Sequence, residues 1–263
     1  MKRLLIVSVI IFVLFFLTMP NPSALELDMN DSKIEETKTQ KMQKVSEVPV
    51  LMYHSISETA GGYSELVVSP ESFSDQMDYL VSNNYTTITF HDVILYIEGE
   101  ARLPSNPIIL TFDDGYTDNY TNAFKILKAR DMVAVMYPYI KKINSINGLT
   151  ESQLGELLEN DWEIGSHTIN HLDLTTLSAN KLSEEVIDSK QLLEDLFDIE
   201  VVSFCYPAGK YNQDVIESVK KAEYRFGVTT NYGVSNFESN LLALARIRIN
   251  RSDSLSSFTK KIR

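Results

Sequence analysis

Residues 107–115 read Pro-Ile-Ile-Leu-Thr-Phe-Asp-Asp-Gly, an apolar run that ends in two adjacent carboxylates and a glycine. Such a run predicts a buried β-strand, and the carboxyl ends of parallel strands usually carry the active site of α/β proteins. Asp-Asp-Gly is also common in surface turns, but here an apolar strand leads directly into it. The stretch therefore predicts a parallel α/β fold with Asp113 and Asp114 at a functional strand end.

The alternation of strands and helices extends on both sides of this stretch. Amphipathic helical patterns lie between the predicted strands, and the longest covers residues 178–197. This alternation indicates one domain with a parallel sheet closed as a (β/α) barrel, although an open doubly wound sheet gives the same periodicity. The apolar runs predict strands at 49–53, 86–90, 108–112, 132–137, 163–166, 201–206 and 226–229.

Composition narrows the class of protein. The chain has 263 residues, of which 44% are hydrophobic, so it can bury a substantial core. Its formal net charge of −12 gives it no general attraction to nucleic acid or to anionic lipid. Cys205 is the single cysteine, which excludes an internal disulfide framework.

The N-terminus has the layout of a secretory signal peptide. Lys2 and Arg3 precede an apolar run at 4–19, and small residues follow up to Ala24. Residues 1–24 are therefore predicted to be a cleaved signal peptide or, as the alternative, an uncleaved membrane anchor. Residues 25–46 are polar and predict a linker, and 47–263 form the predicted catalytic domain. Either way the domain is expected outside the cytoplasm, secreted or attached to the cell surface.

A pair of histidines supplies candidate metal ligands. His167 and His171 are four residues apart, a spacing that predicts a helical turn with both imidazoles on one side. With Asp114 they provide two nitrogens and one oxygen, the donor set of an open catalytic zinc site; cobalt, nickel or manganese would also fit these ligands. The neighbouring Asp113 would then stay free to accept a proton, which relieves the repulsion between the two acids.

The stretches 111–115 and 167–171 resemble the first two motifs of the polysaccharide deacetylases of carbohydrate esterase family 4, which share the chitooligosaccharide deacetylase homology domain. The resemblance spans about 48–251 and implies a distorted barrel with fewer than eight regular β/α units. It also implies that Asp113 is the general base and that Asp114, His167 and His171 bind the metal. The expected activity is metal-dependent N-deacetylation of an acetylated amino-sugar polymer, such as an exopolysaccharide or peptidoglycan.

The third family motif is altered. Residues 204–212 read Phe-Cys-Tyr-Pro-Ala-Gly-Lys-Tyr-Asn, with Cys205 where many members carry an arginine. This form resembles the branch that includes the poly-N-acetylglucosamine deacetylases, although a simple turn after a buried strand would read the same. Arg246 is the candidate replacement for the missing guanidinium beside Asp113, or else a structural arginine. The predicted oxyanion- and substrate-binding residues are Tyr206, Pro207, Ala208, Gly209, Tyr211 and Arg246, with the backbone N–H groups of 208 and 209 as donors because proline has none.

The predicted general acid also lies at a different place in the sequence from that of most family members. Family members carry a histidine near the C-terminus, but no histidine follows His171. His54 ends the first predicted strand, in a Tyr-His segment similar to that of the poly-N-acetylglucosamine branch, and is the predicted acid. The alternative is that His54 only orients a loop. Two further functions stay open, namely a weak or inactive surface glycan-binding protein and a hydrolase of another non-peptide C–N bond.

Overall fold

A computed structural model describes residues 46–59 and 64–262 of the chain. The predicted signal peptide or anchor at 1–24, and all of the predicted linker except residue 46, lie outside the described residues. Within the described ranges, no helix combines the length and apolar character needed to cross a bilayer.

Seven parallel strands form a nearly closed barrel, in which each strand pairs with its neighbours in chain order and β7 returns to β1. The strands are β1 (Val50–Tyr53), β2 (Pro107–Asp114), β3 (Val135–Pro138), β4 (Glu163–Ile164), β5 (Ser203–Cys205), β6 (Phe226–Tyr232) and β7 (Leu244–Arg248). Between β4 and β5 only a bridge from Ser166 to Phe204 closes the ring. The predicted distorted (β/α) barrel with about seven parallel strands is confirmed.

Helices surround the barrel. They are α1 (Pro70–Ser82), α2 (Phe90–Ile97), α3 (Lys125–Lys128), α4 (Glu151–Leu158), α5 (Ala179–Ser183), α6 (Ser189–Phe197), α7 (Gln213–Lys221) and α8 (Leu255–Lys261). A π-helical turn at Asn119–Phe124 precedes α3, and another at Glu184–Asp188 joins α5 to α6. Short strand pairs outside the ring are Glu47–Val48 with Ser235–Asn236, and Ser55–Ile56 with Val67–Val68; Thr86–Thr87 pairs with the start of β2.

The two-residue period of the strands decides which side chains reach the barrel interior. In β2, Ile109 belongs to an inner apolar cluster, and Thr111 and Asp113 lie on the same side of the strand. The intervening residues 108, 110 and 112 pack outward under the helices, where Phe112 stacks between Tyr53 and Trp162 with ring centroids 5.5 Å apart in both pairs. Polar groups at the inward positions therefore face each other across the barrel.

Several observed strands have different bounds from those predicted, and one strand and one helix differ in kind. The strand predicted at 86–90 stops after Thr87, because Thr89 caps α2 in a reciprocal capping box with Asp92. The long helix predicted over 178–197 is present but contains the π-helical turn at Glu184–Asp188. Near its end Leu196 is 43% exposed.

Candidate active site and metal centre

The two acids of β2 point to different partners because the chain turns sharply at the strand end. Asp114 adopts a left-handed φ of 73°, and Gly115 follows with a φ of 74°. A Cβ at Gly115 would lie 2.9 Å from Cβ of Pro138, so only glycine fits beside β3 here. Left-handed backbone at a residue other than glycine is costly and clusters at functional sites. The turn leaves Asp113 inside the barrel and brings Asp114 to its mouth.

Asp114 faces both histidines of the second motif. Its Oδ1 lies 3.4 Å from Nε2 of His167 and 3.5 Å from Nε2 of His171. Zinc bonds of about 2.0–2.1 Å at tetrahedral angles place donor atoms roughly 3.3–3.4 Å apart, which matches both distances from Asp114. The ligand atoms of the three residues all lie within 4.8 Å of one another, so they can share one ion. Nδ1 of His167 lies 2.7 Å from the Cys205 carbonyl oxygen, and a proton shared there leaves Nε2 free as a ligand. The donor set and its spacing therefore fit a divalent metal ion.

A second group of possible ligands lies deeper, formed by Asp113, His167 and Cys205. All three residues are buried, and the Arg246 guanidinium donates to both the carboxylate and the Cys205 sulfur. A cation at this place would lie beside a permanent positive charge, which disfavours it. The group at the barrel mouth is therefore the better metal site.

Asp113 is held by a bidentate contact with Arg246. Nη1 and Nη2 of the arginine each lie 2.7 Å from one carboxylate oxygen. The remaining guanidinium protons are donated to Thr111 Oγ1, the Thr229 carbonyl and Cys205 Sγ, so all five donors are used. Burial alone raises the pKa of the Asp113 carboxyl, but the Arg246 guanidinium lowers it well below its ordinary value. Asp113 is therefore ionised throughout the pH range in which enzymes work.

His54 stands next to this pair at the end of β1. Its Nε2 lies 3.8 Å from Oδ2 of Asp113, and its side chain is 15% exposed. Burial lowers the pKa of His54, and the charges of Asp113 and Asp114 offset part of that shift. The buried amide of Asn119 donates to the His54 carbonyl oxygen at 2.6 Å and fixes the backbone at this point.

These side chains line one cavity of about 1230 Å³ at the carboxyl-terminal end of the barrel. The predicted residues that reach its wall are His54, Asp113, Asp114, His167, His171, Tyr206 and Ala208. Ala208 has a left-handed φ of 51°, and its N–H donates to no group among the described residues.

Four of the predicted substrate-binding residues, namely Pro207, Gly209, Tyr211 and Arg246, are not among the residues that line the cavity. Pro207 is buried, and the N–H of Gly209 donates to the Tyr206 carbonyl at 2.8 Å, so it has no proton left for an oxyanion. Tyr211 packs behind Tyr206, with ring centroids 5.1 Å apart. Arg246 is fully buried behind Asp113 and cannot reach a substrate. The prediction that the Gly209 N–H faces an oxyanion is therefore wrong, because the turn uses that donor, and Arg246 contacts Asp113 instead of a substrate. Substrate contact by Pro207 and Tyr211 stays a prediction.

The helical turn predicted for the histidine pair is also wrong. Residues 167–171 form an irregular loop after β4, in which Thr168 and His171 have φ values of 70° and 56°. The imidazoles nevertheless meet, with ring centroids 4.7 Å apart. Contacts from other segments set this conformation, so spacing predicted the ligands but not their backbone.

Several polar residues that the sequence patterns did not predict support the site from behind. Glu185 and Ser189 are fully buried, although they lie in a helical stripe with Leu182 and Leu193 whose pattern predicts apolar core. Glu185 contacts the histidine loop directly, and Ser189 contacts Ser166, the residue before it. A carboxylate on the buried face of an amphipathic helix indicates polar partners nearby, and this signal was present in the sequence. Thr111, one inward position before Asp113, accepts from Arg246 and was likewise overlooked.

Comparisons with known proteins agree with this geometry. A family model described as polysaccharide deacetylase matches residues 100–227. YxkH of Bacillus subtilis (strain 168), named provisionally as a polysaccharide deacetylase, is 35% identical over 218 residues, which are 83% of this chain and 77% of that protein. A poly-beta-1,6-N-acetyl-D-glucosamine N-deacetylase of Staphylococcus epidermidis is 26% identical over 247 residues, covering 84% of each chain. The structure of the Streptococcus pyogenes deacetylase PplD in complex with acetate is similar with a TM-score of 0.78 and 27% identity, over 83% of this chain and 100% of that one.

Proposed function

Because the chain belongs to the polysaccharide deacetylase family, we propose that it hydrolyses the N-acetyl groups of an N-acetylglucosamine-containing polysaccharide and releases acetate. One observation carries the proposal: three donor atoms spaced for a single ion lie beside a carboxylate that is not one of them. With a metal ion bound, that arrangement would supply an electrophile and a base within one cavity. An inactive glycan-binding protein would have no need of such an arrangement.

The proposed ion is zinc, held by Asp114, His167 and His171. When bound there, a divalent cation polarises the acetyl carbonyl and lowers the pKa of a water molecule. Asp113 accepts the proton of that water as its oxygen attacks the carbonyl carbon, and Arg246 keeps Asp113 ionised beforehand. The free N–H of Ala208 is the proposed donor to the developing negative charge.

The bond from the carbonyl carbon to the sugar nitrogen then breaks, and the nitrogen needs a proton to leave as an amine. His54 is the proposed source, since its ring nitrogen lies 3.8 Å from Asp113 on the cavity wall. Its lowered pKa makes the protonated imidazole a stronger acid. The products are acetate and a glucosamine unit.

A polymer is the proposed substrate, and a poly-N-acetylglucosamine exopolymer is preferred over peptidoglycan. The cavity of about 1230 Å³ exceeds the roughly 300–1,000 Å³ of pockets for a drug-sized ligand, which supports more than one sugar unit in the site. The Staphylococcus epidermidis relative is named for a poly-beta-1,6-N-acetyl-D-glucosamine substrate. We also propose an extracytoplasmic location, with secretion or membrane attachment through residues 1–24, where the enzyme would meet such polymers.

An acetate-release assay tests the function. Purified protein is incubated with poly-β-1,6-N-acetylglucosamine, acetylated chitooligomers and peptidoglycan, each with and without a chelator and with zinc added back. We expect acetate from at least one acetylated polymer, loss of release with the chelator, and recovery with zinc. Polymer binding without any acetate release would contradict deacetylation and favour the glycan-binding alternative. Release from small non-sugar amides alone would favour the other C–N hydrolase.

A further inference from the structure

Glu185 is a buried carboxylate whose hydrogen bonds all reach the loop that carries the two histidines. Its Oε2 accepts from the backbone N–H of Ile169 at 3.1 Å and of Asn170 at 2.8 Å. Its Oε1 accepts from the side-chain amide of Asn170. All three donors belong to the residues between His167 and His171. The carboxylate thus binds the middle of the metal-binding loop.

The charge of Glu185 makes this contact stronger than an ordinary surface hydrogen bond. The residue has no solvent exposure, and the nearest ammonium, Nζ of Lys181, is 4.0 Å away on a side chain that is 44% exposed. A buried carboxylate without partners is costly, so movement of the loop would leave the charge unsatisfied. Hydrogen bonds to an ionised acceptor are also roughly twice as strong as neutral ones.

The loop needs such support because its backbone is strained. Thr168 and His171 both have left-handed φ values, which residues other than glycine keep only where their surroundings enforce them. On the opposite side, the carbonyls of Thr168 and Ile169 accept from Ile140 and Lys141 at 3.0 and 3.1 Å. Glu185 fixes the N–H side of the same peptides. The loop is therefore held from both faces without any ion.

The position of Glu185 in its helix fits this role. It lies in the π-helical turn that joins α5 to α6, and such turns frequently occur at functional sites. Ser189, one turn later, is hydrogen-bonded to Ser166 with their Oγ atoms 2.8 Å apart, and Ser166 Oγ accepts from the N–H of Thr168. Two polar side chains on the buried face of one helix thus support the loop, Glu185 directly at its middle and Ser189 through Ser166 at its start.

We propose that Glu185 is a positioning residue that preorganises the His167–His171 loop for metal binding. It contacts neither the ion nor the substrate. It holds the two imidazoles at the spacing that the ion requires, so that binding does not have to order the loop. This inference rests on the proposed metal site but not on the identity of the glycan.

The test is zinc affinity of the full-length protein, measured by equilibrium competition with a chromophoric chelator. Glu185→Gln keeps the side-chain size but places an amide group where the loop offers only N–H donors. We expect its zinc affinity to fall about 10–100-fold, the usual cost of removing an outer-shell partner. The matched control is Glu184→Gln, because Glu184 is 52% exposed and contacts Lys181 rather than the loop. The control should bind zinc like the wild type.

Asn170→Ala is the second variant, for the case that Glu185→Gln does not fold. It removes one of the three hydrogen bonds and leaves the backbone donors, so we expect a smaller loss of zinc affinity. Wild-type affinity in Glu185→Gln, or in Asn170→Ala where the first variant is unfolded, would overturn the positioning role. Absence of zinc binding in the wild-type protein would instead refute the metal site itself, so the two failures can be told apart.

Discussion

Asp113 and Glu163 are both carboxylates buried in the barrel, the first at its carboxyl-terminal end and the second at its amino-terminal end. Asp113 contacts a guanidinium, and its pKa lies well below the ordinary value. Glu163 accepts from the Ser203 hydroxyl and from the backbone N–H groups of Phe90 and His91, and burial raises its pKa to about 7. The same barrel interior therefore keeps one acid ionised and allows the other to be neutral, depending on a single cation.

This difference separates a reactive group from a structural one. An ionised carboxylate at the open end can accept a proton from water at the cavity wall. A carboxyl at the closed end joins the start of α2 to β5 through hydrogen bonds and has no access to the cavity. Arg246, on β7, is the residue that makes the two ends chemically different.

The largest effect is expected from Asp113→Asn, which removes the base. Turnover should fall by about 10³–10⁴-fold, near the upper end of the contribution of general base catalysis. Zinc affinity should stay at the wild-type level, because Asp113 lies outside the ligand set. Acetate release and zinc titration on the folded variant provide the two measurements. Loss of zinc instead would mean that the roles of Asp113 and Asp114 are exchanged.

Arg246→Met should give Asp113 the same environment as Glu163, that of a buried carboxyl without a neighbouring cation. The variant leaves a buried carboxylate without its cation, and we expect a loss of about 3–5 kcal/mol in the free energy of unfolding. The pKa of Asp113 should rise, so that activity is lost as the pH falls through the new value. Urea denaturation and a pH–rate profile measure the two effects.

The double variant Asp113→Asn with Arg246→Met is the control for that experiment. Because it removes the charge that was left unpaired, it should be more stable than Arg246→Met alone. If the double variant instead loses as much stability as the two single variants together, the ion pair does not account for the difference between the barrel ends.

His54→Ala tests whether the open end also supplies an acid. We expect turnover to fall by about 10²–10³-fold without a change in zinc affinity. In the wild type, activity should decline as the pH rises through the lowered pKa of His54, and the variant should lack this decline. Wild-type turnover in the variant would leave His54 as a residue that only orients its loop.

Glu163→Gln tests the closed end of the barrel, where the expected effect is on the pH dependence of stability. A folded-state pKa of about 7 exceeds the unfolded value of 4.5, so the stability that Glu163 contributes is present below 4.5 and lost as the pH rises through 7. The wild type should lose on the order of 3 kcal/mol across this range through Glu163, and the variant should not. Denaturation of the metal-free protein at about pH 5 and about pH 8 measures the slope of the free energy of unfolding against pH. Glu159→Gln, at an exposed glutamate, should keep the wild-type slope.

Much of the site was predictable because parallel strands end on one side of the barrel. Asp113, Asp114 and the two histidines each follow an apolar run, so their convergence follows from the fold class. The Arg246 contact was predicted only as one of two alternatives, since 133 residues separate it from Asp113. The strand that carries Arg246 was not predicted, because charged residues at inward positions disguise the apolar pattern of β7.

The backbone conformation of the site was less predictable than the identity of its residues. The left-handed backbone at Asp114, Thr168 and His171 depends on contacts from distant segments, and no local pattern encodes those contacts. Glu185 and Glu163 were visible as acids at apolar positions, but their partners lie on other elements. The sequence therefore predicts which groups meet more reliably than it predicts what holds them.

An anomalous difference map of zinc-soaked crystals, collected at the zinc absorption edge, would show which residues bind the metal. We expect a single strong peak about 2.0–2.2 Å from Oδ1 of Asp114 and from Nε2 of His167 and His171, with Asp113 still paired to Arg246. A peak among Asp113, His167 and Cys205, or no peak in crystals with an accessible cavity, would contradict the assignment of metal ligand and base.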